Sequence, residues 1–196
     1  MGLLFINSCV SQRGEASRTL RLARAFLEAY RKGHPEDAVT VTRVGEPGWT
    51  PLTAADLDAR DALAKAGDFS APAFRLAREF QSADRIAVAA PFWDLSFPSV
   101  LRIYIEHISA NGLTYHYEAD GCHGDCRASR LLYLTTGGDF ERPESLGVLY
   151  WKQLCAMFGI PRFDYVFAGG LDVDPGKAPE ILERAEAQAR ILGREF

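Results

Sequence analysis

Ile86-Ala-Val-Ala-Ala-Pro-Phe-Trp-Asp-Leu-Ser-Phe-Pro98 is the stretch from which the rest of the 196-residue chain can be read. Ile86 to Ala90 shows no alternation of apolar and polar residues, as expected of a strand covered on both faces. Pro91 cannot donate to a sheet ladder, and Pro98 restricts the residue before it, so the segment between them is neither helix nor central strand. Phe92, Trp93, Asp94 and Leu95 are therefore presented at the carboxyl end of a strand, which is where open α/β sheets bind ligands.

Upstream, Gly2 to Asn7 is a short apolar run. The hydrophobic period turns helical after Ser17, with Leu20, Ala23, Phe26, Leu27 and Tyr30 at helix spacings; Ser17 suits the N-cap and Gly33 the end. Ala38 to Val44 reads as a second strand, and Gly45 to Pro51 as a turn-rich break. Leu52 to Ala66 reads as a polar helix sitting as a surface excursion, and Ala71 to Ser82 as a more amphipathic helix leading into the third strand.

Downstream, Pro98 opens a helix whose apolar face is Val100, Leu101, Tyr104, Ile105 and Ile108, closing at Asn111-Gly112. Thr114 to Tyr117 looks extended, and Ala119 to Ala128 reads as a Gly, Asp and Cys-rich loop. Leu131 to Thr135 is a fourth strand, Leu146 to Phe158 a helix stopped by Gly159 and Pro161, Phe163 to Ala168 a fifth strand, and Ala178 to Gly193 the last helix. Strands alternating with helices predict a single α/β domain spanning residues 1–196, with a five-stranded parallel sheet and right-handed crossovers. The expected strand order is 2-1-3-4-5, with the switch point between strands one and three.

Composition narrows the function. With 47% hydrophobic and 24% charged residues the chain is an ordinary globular one, and its net charge of −4 argues against a general nucleic-acid-binding surface. No run of 18 apolar residues exists and no basic region precedes Leu3-Leu4-Phe5-Ile6, so neither a membrane span nor a signal peptide is expected, and the cytoplasm is the expected location. Four scattered cysteines, Cys9, Cys122, Cys126 and Cys155, read as reduced thiols rather than a disulfide scaffold.

Three loops follow strands. Ser8-Cys-Val-Ser-Gln-Arg-Gly-Glu-Ala-Ser17 brings hydroxyls, an arginine and a helix N-terminus together, a combination suited to a phosphate or to a solvated loop with a capping serine. It contains neither a Walker sequence nor a G-x-G-x-x-G pattern. Pro91 to Pro98 exposes Phe92 and Trp93 beside Asp94, able to flank a planar ring or to serve as core aromatics. In Thr135-Thr-Gly-Gly-Asp-Phe140 the paired glycines permit close backbone approach or a simple tight turn. One sheet edge gathers all three loops into one crevice.

Cys122-His123-Gly124-Asp125-Cys126 suggests zinc by spacing, but a structural site wants four ligands and no second Cys/His pair lies near in sequence. It reads as a mobile loop carrying free thiols, with no metal. His34 and His107 have no Ser or Asp arrangement of a triad and read as structural.

Taken with Ile108-Ser-Ala-Asn-Gly-Leu-Thr-Tyr-His-Tyr117 and Phe158-Gly-Ile-Pro-Arg-Phe-Asp-Tyr-Val-Phe-Ala168, the three loops resemble the flavodoxin-like NAD(P)H-dependent quinone reductases, in particular the FMN-dependent NADH azoreductases. The resemblance runs over nearly the full chain. It implies a flavodoxin-like three-layer sandwich binding FMN, with Ser8 or Cys9, Glu15, Ala16 and Ser17 at the phosphate. It further implies Phe92, Trp93, Asp94 and Leu95 along one edge of the isoalloxazine and Thr135, Thr136, Gly137 and Gly138 at its pyrimidine side. It implies a homodimer with sites at the interface, and Tyr117 and Leu154 as the acceptor-side wall. Cys9 stands where the family usually has serine, Asp94 where asparagine is common, and Leu154 where an aromatic residue roofs the site.

The implied chemistry is ping-pong transfer of hydride from NADH or NADPH to a small flat electron acceptor such as a quinone or azo compound, with no catalytic protein side chain required. Two rivals remain at this point: an FMN-binding carrier passing single electrons to protein partners, and a flavin-free module holding another phosphorylated ligand. Colour separates the second from the others, and steady NADH oxidation with a quinone separates the first.

Overall fold

The computed structural model describes every residue except Gln12, Gly45, Pro47 and 142–144, and only the backbone of Glu15. The turn-rich break expected at Gly45 to Pro51 thus lies partly outside the described residues. Strands β1 (Gly2–Asn7), β2 (Ala38–Arg43), β3 (Arg85–Ala89), β6 (Arg130–Thr136) and β7 (Arg162–Ala168) form one sheet, and β4 (Tyr115–Glu118) and β5 (Gly121–Gly124) form a separate hairpin. The five-stranded sheet has the order β2-β1-β3-β6-β7 with every pairing parallel. That is the expected 2-1-3-4-5, with β6 and β7 as the fourth and fifth strands.

The register explains the unalternating run at Ile86. Leu4 lies beside Ile86, Phe5 beside Ala87 and Ile6 beside Val88, and Ala87 and Val88 continue to Leu132 and Tyr133. Period-2 alternation sends Leu3, Phe5, Ala87, Ala89, Leu132 and Leu134 to one face, where α1 (Arg18–Gly33) and α6 (Ala178–Glu195) cover them. Leu4, Ile6, Ile86, Val88, Leu131 and Tyr133 go to the other, under α3 (Arg75–Ser82), α4 (Ser99–Ile108) and α5 (Leu146–Phe158). Both faces are therefore apolar, which gives a three-layer sandwich. Helices α1 and α6 approach closely because Gly193 sits at the crossing; a Cβ there would stand 2.5 Å from the Phe26 carbonyl oxygen.

The polar helix α2 (Ala54–Lys65) is held more firmly than its sequence suggests. It begins at a reciprocal capping box between Thr53 and Asp56. Its Arg60, nearly buried, donates to the carbonyls of Glu106, His107 and Ser109. These are orphan acceptors at the end of α4, so one guanidinium both caps that helix and tethers the excursion. The segment from Ala71 starts with a 3-10 turn, Pro72–Phe74, before α3.

The stretch expected as a mobile loop is partly ordered structure. Gly121–Gly124 pairs antiparallel with Tyr115–Glu118. At its base Gly124 lies against the end of α5 with no side chain intervening: a Cβ on Gly124 would fall 1.9 Å from the Gly159 nitrogen and 2.0 Å from the Phe158 carbonyl carbon. Cys126 N–H then donates to the Phe158 carbonyl oxygen at 3.2 Å. Two backbones in direct contact leave nothing to repack, so Gly124→Ala is expected to cost about 3 kcal/mol, the upper range for overpacking, read as a lower urea midpoint with unchanged slope.

Candidate functional site

At the carboxyl ends of β1, β3 and β6 the three loops enclose a cleft of about 250 Å³. The first loop enters it with Ser11 and Arg13, and α1 follows with Ser17, Arg18 and Thr19. Ser17 caps α1, accepting the Leu20 N–H at 3.4 Å. The Ala16 and Ser17 amides are given to the Arg13 and Gly14 carbonyls, at 2.9 and 3.2 Å. Beyond them the Arg18 and Thr19 amides head the helix, where geometry offers no intrahelical carbonyl. The first turn itself holds no acidic side chain, so the positive end of the helix dipole faces the cleft.

Of the two residues expected at a phosphate, Ser8 lies outside the cleft lining and Cys9 within it. Ser8 is fully buried on the face of Ile6, away from the cleft lining, because strand alternation continues one residue past β1; its N–H donates to Ala89 O at 2.8 Å. Cys9 contributes to the wall, but its Sγ turns onto Ala89 O at 3.7 Å, and burial pushes the thiol up to about 12. The hydroxyl-bearing residues of the first loop and helix start that line the cleft are Ser11, Ser17 and Thr19. The Glu15 side chain lies outside the described residues.

The second loop contributes Pro91, Phe92 and Trp93. Phe92 N–H donates to Thr136 O at 3.0 Å, and its ring meets Phe167 edge-on at 5.3 Å between centroids. Trp93, about two-fifths exposed, pairs with Ser96 in a two-bond bridge around Asp94 and Leu95. Those two residues have φ of 49° and 66°, a conformation that glycine or asparagine adopts readily and leucine does not. The turn thus projects Asp94 and Leu95 outward, exposed, beyond the cleft lining of their own chain.

In the third loop Thr136, Gly137 and Gly138 face the cleft, whereas Thr135 lies fully buried on the opposite face, sharing the side of Tyr133. Thr19 Oγ1 and Thr136 Oγ1 are 2.6 Å apart, tying the first loop to the third. The glycines serve close approach, as expected, but toward protein: a Cβ on Gly137 would meet the Phe167 ring at 3.0 Å, and one on Gly138 would meet Asp172 Oδ2 at 2.5 Å. The Gly137 amide is already given to Ala168 O at 2.9 Å, so it is not free for a ligand.

Leu171 and Asp172, after β7, complete the lining, and Asp172 Oδ1 lies 2.7 Å from Arg18 Nη1 across the mouth. Ser11 and Arg13 stood within the first loop's sequence, but Arg18, Thr19, Leu171 and Asp172 were missed. Nothing in sequence placed a fourth loop beside the other three. Tyr117, on the hairpin, is exposed, its ring 5.7 Å from that of Tyr115. Leu154 is buried in the α5 core and turns toward a second cavity of about 1000 Å³, between α2, α4 and α5. Neither lines this cleft within one chain.

Burial also raises Cys126 and Cys155 to about 12, while Cys122 is exposed. A thiol-disulfide reagent at mildly alkaline pH is therefore expected to modify Cys122 rapidly in the native protein, and all four cysteines only after unfolding, as followed by release of the reporter thiol. Rapid native modification of Cys9 would place its sulfur in the cleft after all.

Residues 1–192 match a protein family described as having a flavodoxin-like fold. The FMN-dependent NADH:quinone oxidoreductase of Clostridium perfringens (strain ATCC 13124) is 29% identical over 196 residues, covering 99% of this chain and 98% of that one. The protein of the same name from Staphylococcus aureus (strain MRSA252) is 28% identical, covering 92% of each. Among solved structures, an azoreductase from Bacillus anthracis str. Sterne shares the fold at a TM-score of 0.87, with 24% identity and all of both chains covered. An FMN-dependent NADH-azoreductase from Bacillus anthracis str. Ames Ancestor, in complex with FMN, aligns at 0.83 with 17% identity over 99% of this chain and 98% of that one. With the family match spanning nearly its whole length and the sheet in the order that fold requires, this chain belongs to the flavodoxin-like fold family.

Proposed function

We propose that the chain is an FMN-dependent oxidoreductase passing hydride from NADH or NADPH to quinones, azo compounds or similar flat aromatic acceptors. The observation that carries this reading is the two-ended character of the cleft: hydroxyls, guanidinium groups and a helix N-terminus at one end, and Phe92 with Trp93 at the other. A ligand with a terminal phosphate and a planar ring fits both ends. The curated relatives of similar length are named as FMN-dependent NADH:quinone oxidoreductases, in keeping with that ligand.

FMN, when bound, supplies the acceptance of hydride and its donation to the second substrate. The chain's own residues bind and orient. Ser11, Ser17 and the Arg18 and Thr19 amides would hold the phosphate, with Arg13 adding charge. Asp172 restrains Arg18 at the mouth. Phe92, braced by Phe167 and by its bond to Thr136, gives a fixed apolar wall, and the Trp93 turn leaves a flat surface open to a second planar molecule. Fixed geometry of this kind lowers the reorganisation needed at the reacting face.

The exposed apolar surface beside that turn supports a homodimer. Leu95, Leu146 and Leu149 are exposed, and Leu146 and Leu149 border, with Phe97 and Tyr150, a groove of about 550 Å³. A second copy covering this groove would bring another hairpin near the cleft, so that Tyr117 forms the acceptor-side wall in trans. Leu154, committed to the core, has no such route. Light scattering is expected to give twice the 21.7 kDa chain mass at micromolar concentration, and an active monomer would contradict the dimer.

The deciding experiment is extraction and identification of the cofactor together with steady NADH oxidation in the presence of a quinone. One FMN per chain and quinone-dependent turnover are expected; FAD, or no flavin after reconstitution, would overturn the reading. Asp94→Asn keeps a residue suited to positive φ and removes an exposed carboxylate next to Trp93 at the rim of the cleft, whose negative charge would oppose charge accumulating on a reduced ring. It is expected to retain FMN and to bleach faster with NADH in stopped flow, and a slower variant would mean that Asp94 faces elsewhere.

A further inference from the structure

The β4–β5 hairpin carries a group of side chains that the cleft does not use. In its register His116 stands opposite His123 and Tyr117 opposite Cys122. Opposed residues of an antiparallel pair share a face and successive residues alternate, so His116, Glu118 and His123 occupy one face, and Tyr117 and Cys122 the other. The two imidazoles lie across the strands with centroids 5.6 Å apart and planes 26° from parallel. Asp120, in the connection, brings Oδ1 to 2.7 Å from His123 Nε2. One donor atom each from Glu118, Asp120 and His123 lies within 4.8 Å of the other two, and His116 Nε2 is 3.2 Å from Glu118 Oε1.

The orientation of His116 is an independent observation. Its Nδ1 is 2.8 Å from Asp125 Oδ2. With Nδ1 on Asp125 and Nε2 facing Glu118 Oε1, the ring is fixed between two carboxylates, and an ion bound at Nε2 would take the place of a proton there while Asp125 keeps the orienting role seen in metal-ligating histidines. Asp125 is itself fixed by its backbone: its N–H donates to Thr114 O at 3.0 Å, and its carbonyl accepts from Gln81 Nε2 at 3.1 Å. An anchored base thus presents a set of nitrogen and oxygen donors at an exposed tip.

We propose that this face binds a divalent transition-metal ion of the zinc type, with His116, His123, Glu118 and Asp120 as ligands and Asp125 as the orienting carboxylate. Two imidazoles favour such an ion over Mg²⁺ or Ca²⁺, which prefer oxygen alone. Tetrahedral Zn²⁺ wants neighbouring donors roughly 3.3 Å apart, which exposed side chains reach by small rotamer adjustments. The Cys122 to Cys126 spacing does not supply the ligands. Cys122 is on the other face, and the Cys126 thiol rests on Thr114 O at 3.6 Å. The bound ion would cross-link the two strands.

The test is calorimetric titration of the tag-free chain, as purified with its flavin, with Zn²⁺ near neutral pH. One ion per chain at micromolar affinity is expected. His116→Ala and His123→Ala should each weaken binding at least about tenfold and Asp125→Asn by about tenfold, as loss of an orienting carboxylate does, while Cys122→Ser leaves it unchanged. Absence of saturable binding at submillimolar Zn²⁺, binding indifferent to both histidine substitutions, or binding lost in Cys122→Ser would each overturn the proposal. The wild-type chain gives a check that needs no variant: with Cu²⁺, electron paramagnetic resonance should show coupling to two imidazole nitrogens, and a spectrum without nitrogen coupling contradicts the site.

Discussion

Because helices cover both faces of β3, its only exits are its ends, and the way its backbone pairing stops determines where a ligand can enter. Ala90 N–H donates to Leu134 O and Phe92 N–H to Thr136 O, so pairing toward β6 runs on to Phe92, three residues beyond the end of β3. Alternate residues point their amides the other way, toward β1, and the next of these is Pro91, which has none. Pairing with β1 ends at Ser8 N–H on Ala89 O, while pairing with β6 continues. The sheet parts between β1 and β3, and the crevice opens at this switch point.

Several side chains close around that parting. Thr19 and Thr136 join the first and third loops, Arg18 and Asp172 join the first loop to the one after β7, and the Gly137 and Gly138 carbonyls accept from Leu171 and Asp172. The cleft is therefore bordered by contacts between loops, and a change in one wall is transmitted to its neighbours. The turn at Asp94 and Leu95 is the exception. Two consecutive non-glycine residues at positive φ cost on the order of 1–3 kcal/mol each, a local expense that the flanking Trp93–Ser96 bridge must hold in place.

The sheet was legible in sequence because buried parallel strands are apolar without interruption, and the helices between them carry a different period. The first strand of the hairpin was legible as an extended stretch, but the second was not, because Gly121-Cys-His-Gly124 has no strand-forming composition; its partner strand and the end of α5 impose its extended form. Within the site, Ser17, Phe92, Trp93, Thr136 and the two glycines could be placed from their loops alone. Ser8 and Thr135 lie outside the cleft lining because the period of two carries one residue further, Ser8 following the side of Ile6 and Thr135 that of Tyr133. Asp172 and Arg18 meet across a sequence separation of 154 residues, a proximity that only the assembled sheet creates.

The contact between Gly124 and Gly159 divides the hairpin into two regimes of tolerance. At the base, backbone rests on backbone, so neither position has room for a longer side chain, and lengthening the chain there would break the seat on α5. At the tip, Ala119 and Asp120 touch solvent and carry no such constraint. Insertions, fused peptides or altered charge can therefore be accepted at the tip without disturbing the fold, and the hairpin can diversify at its far end while its point of attachment stays fixed.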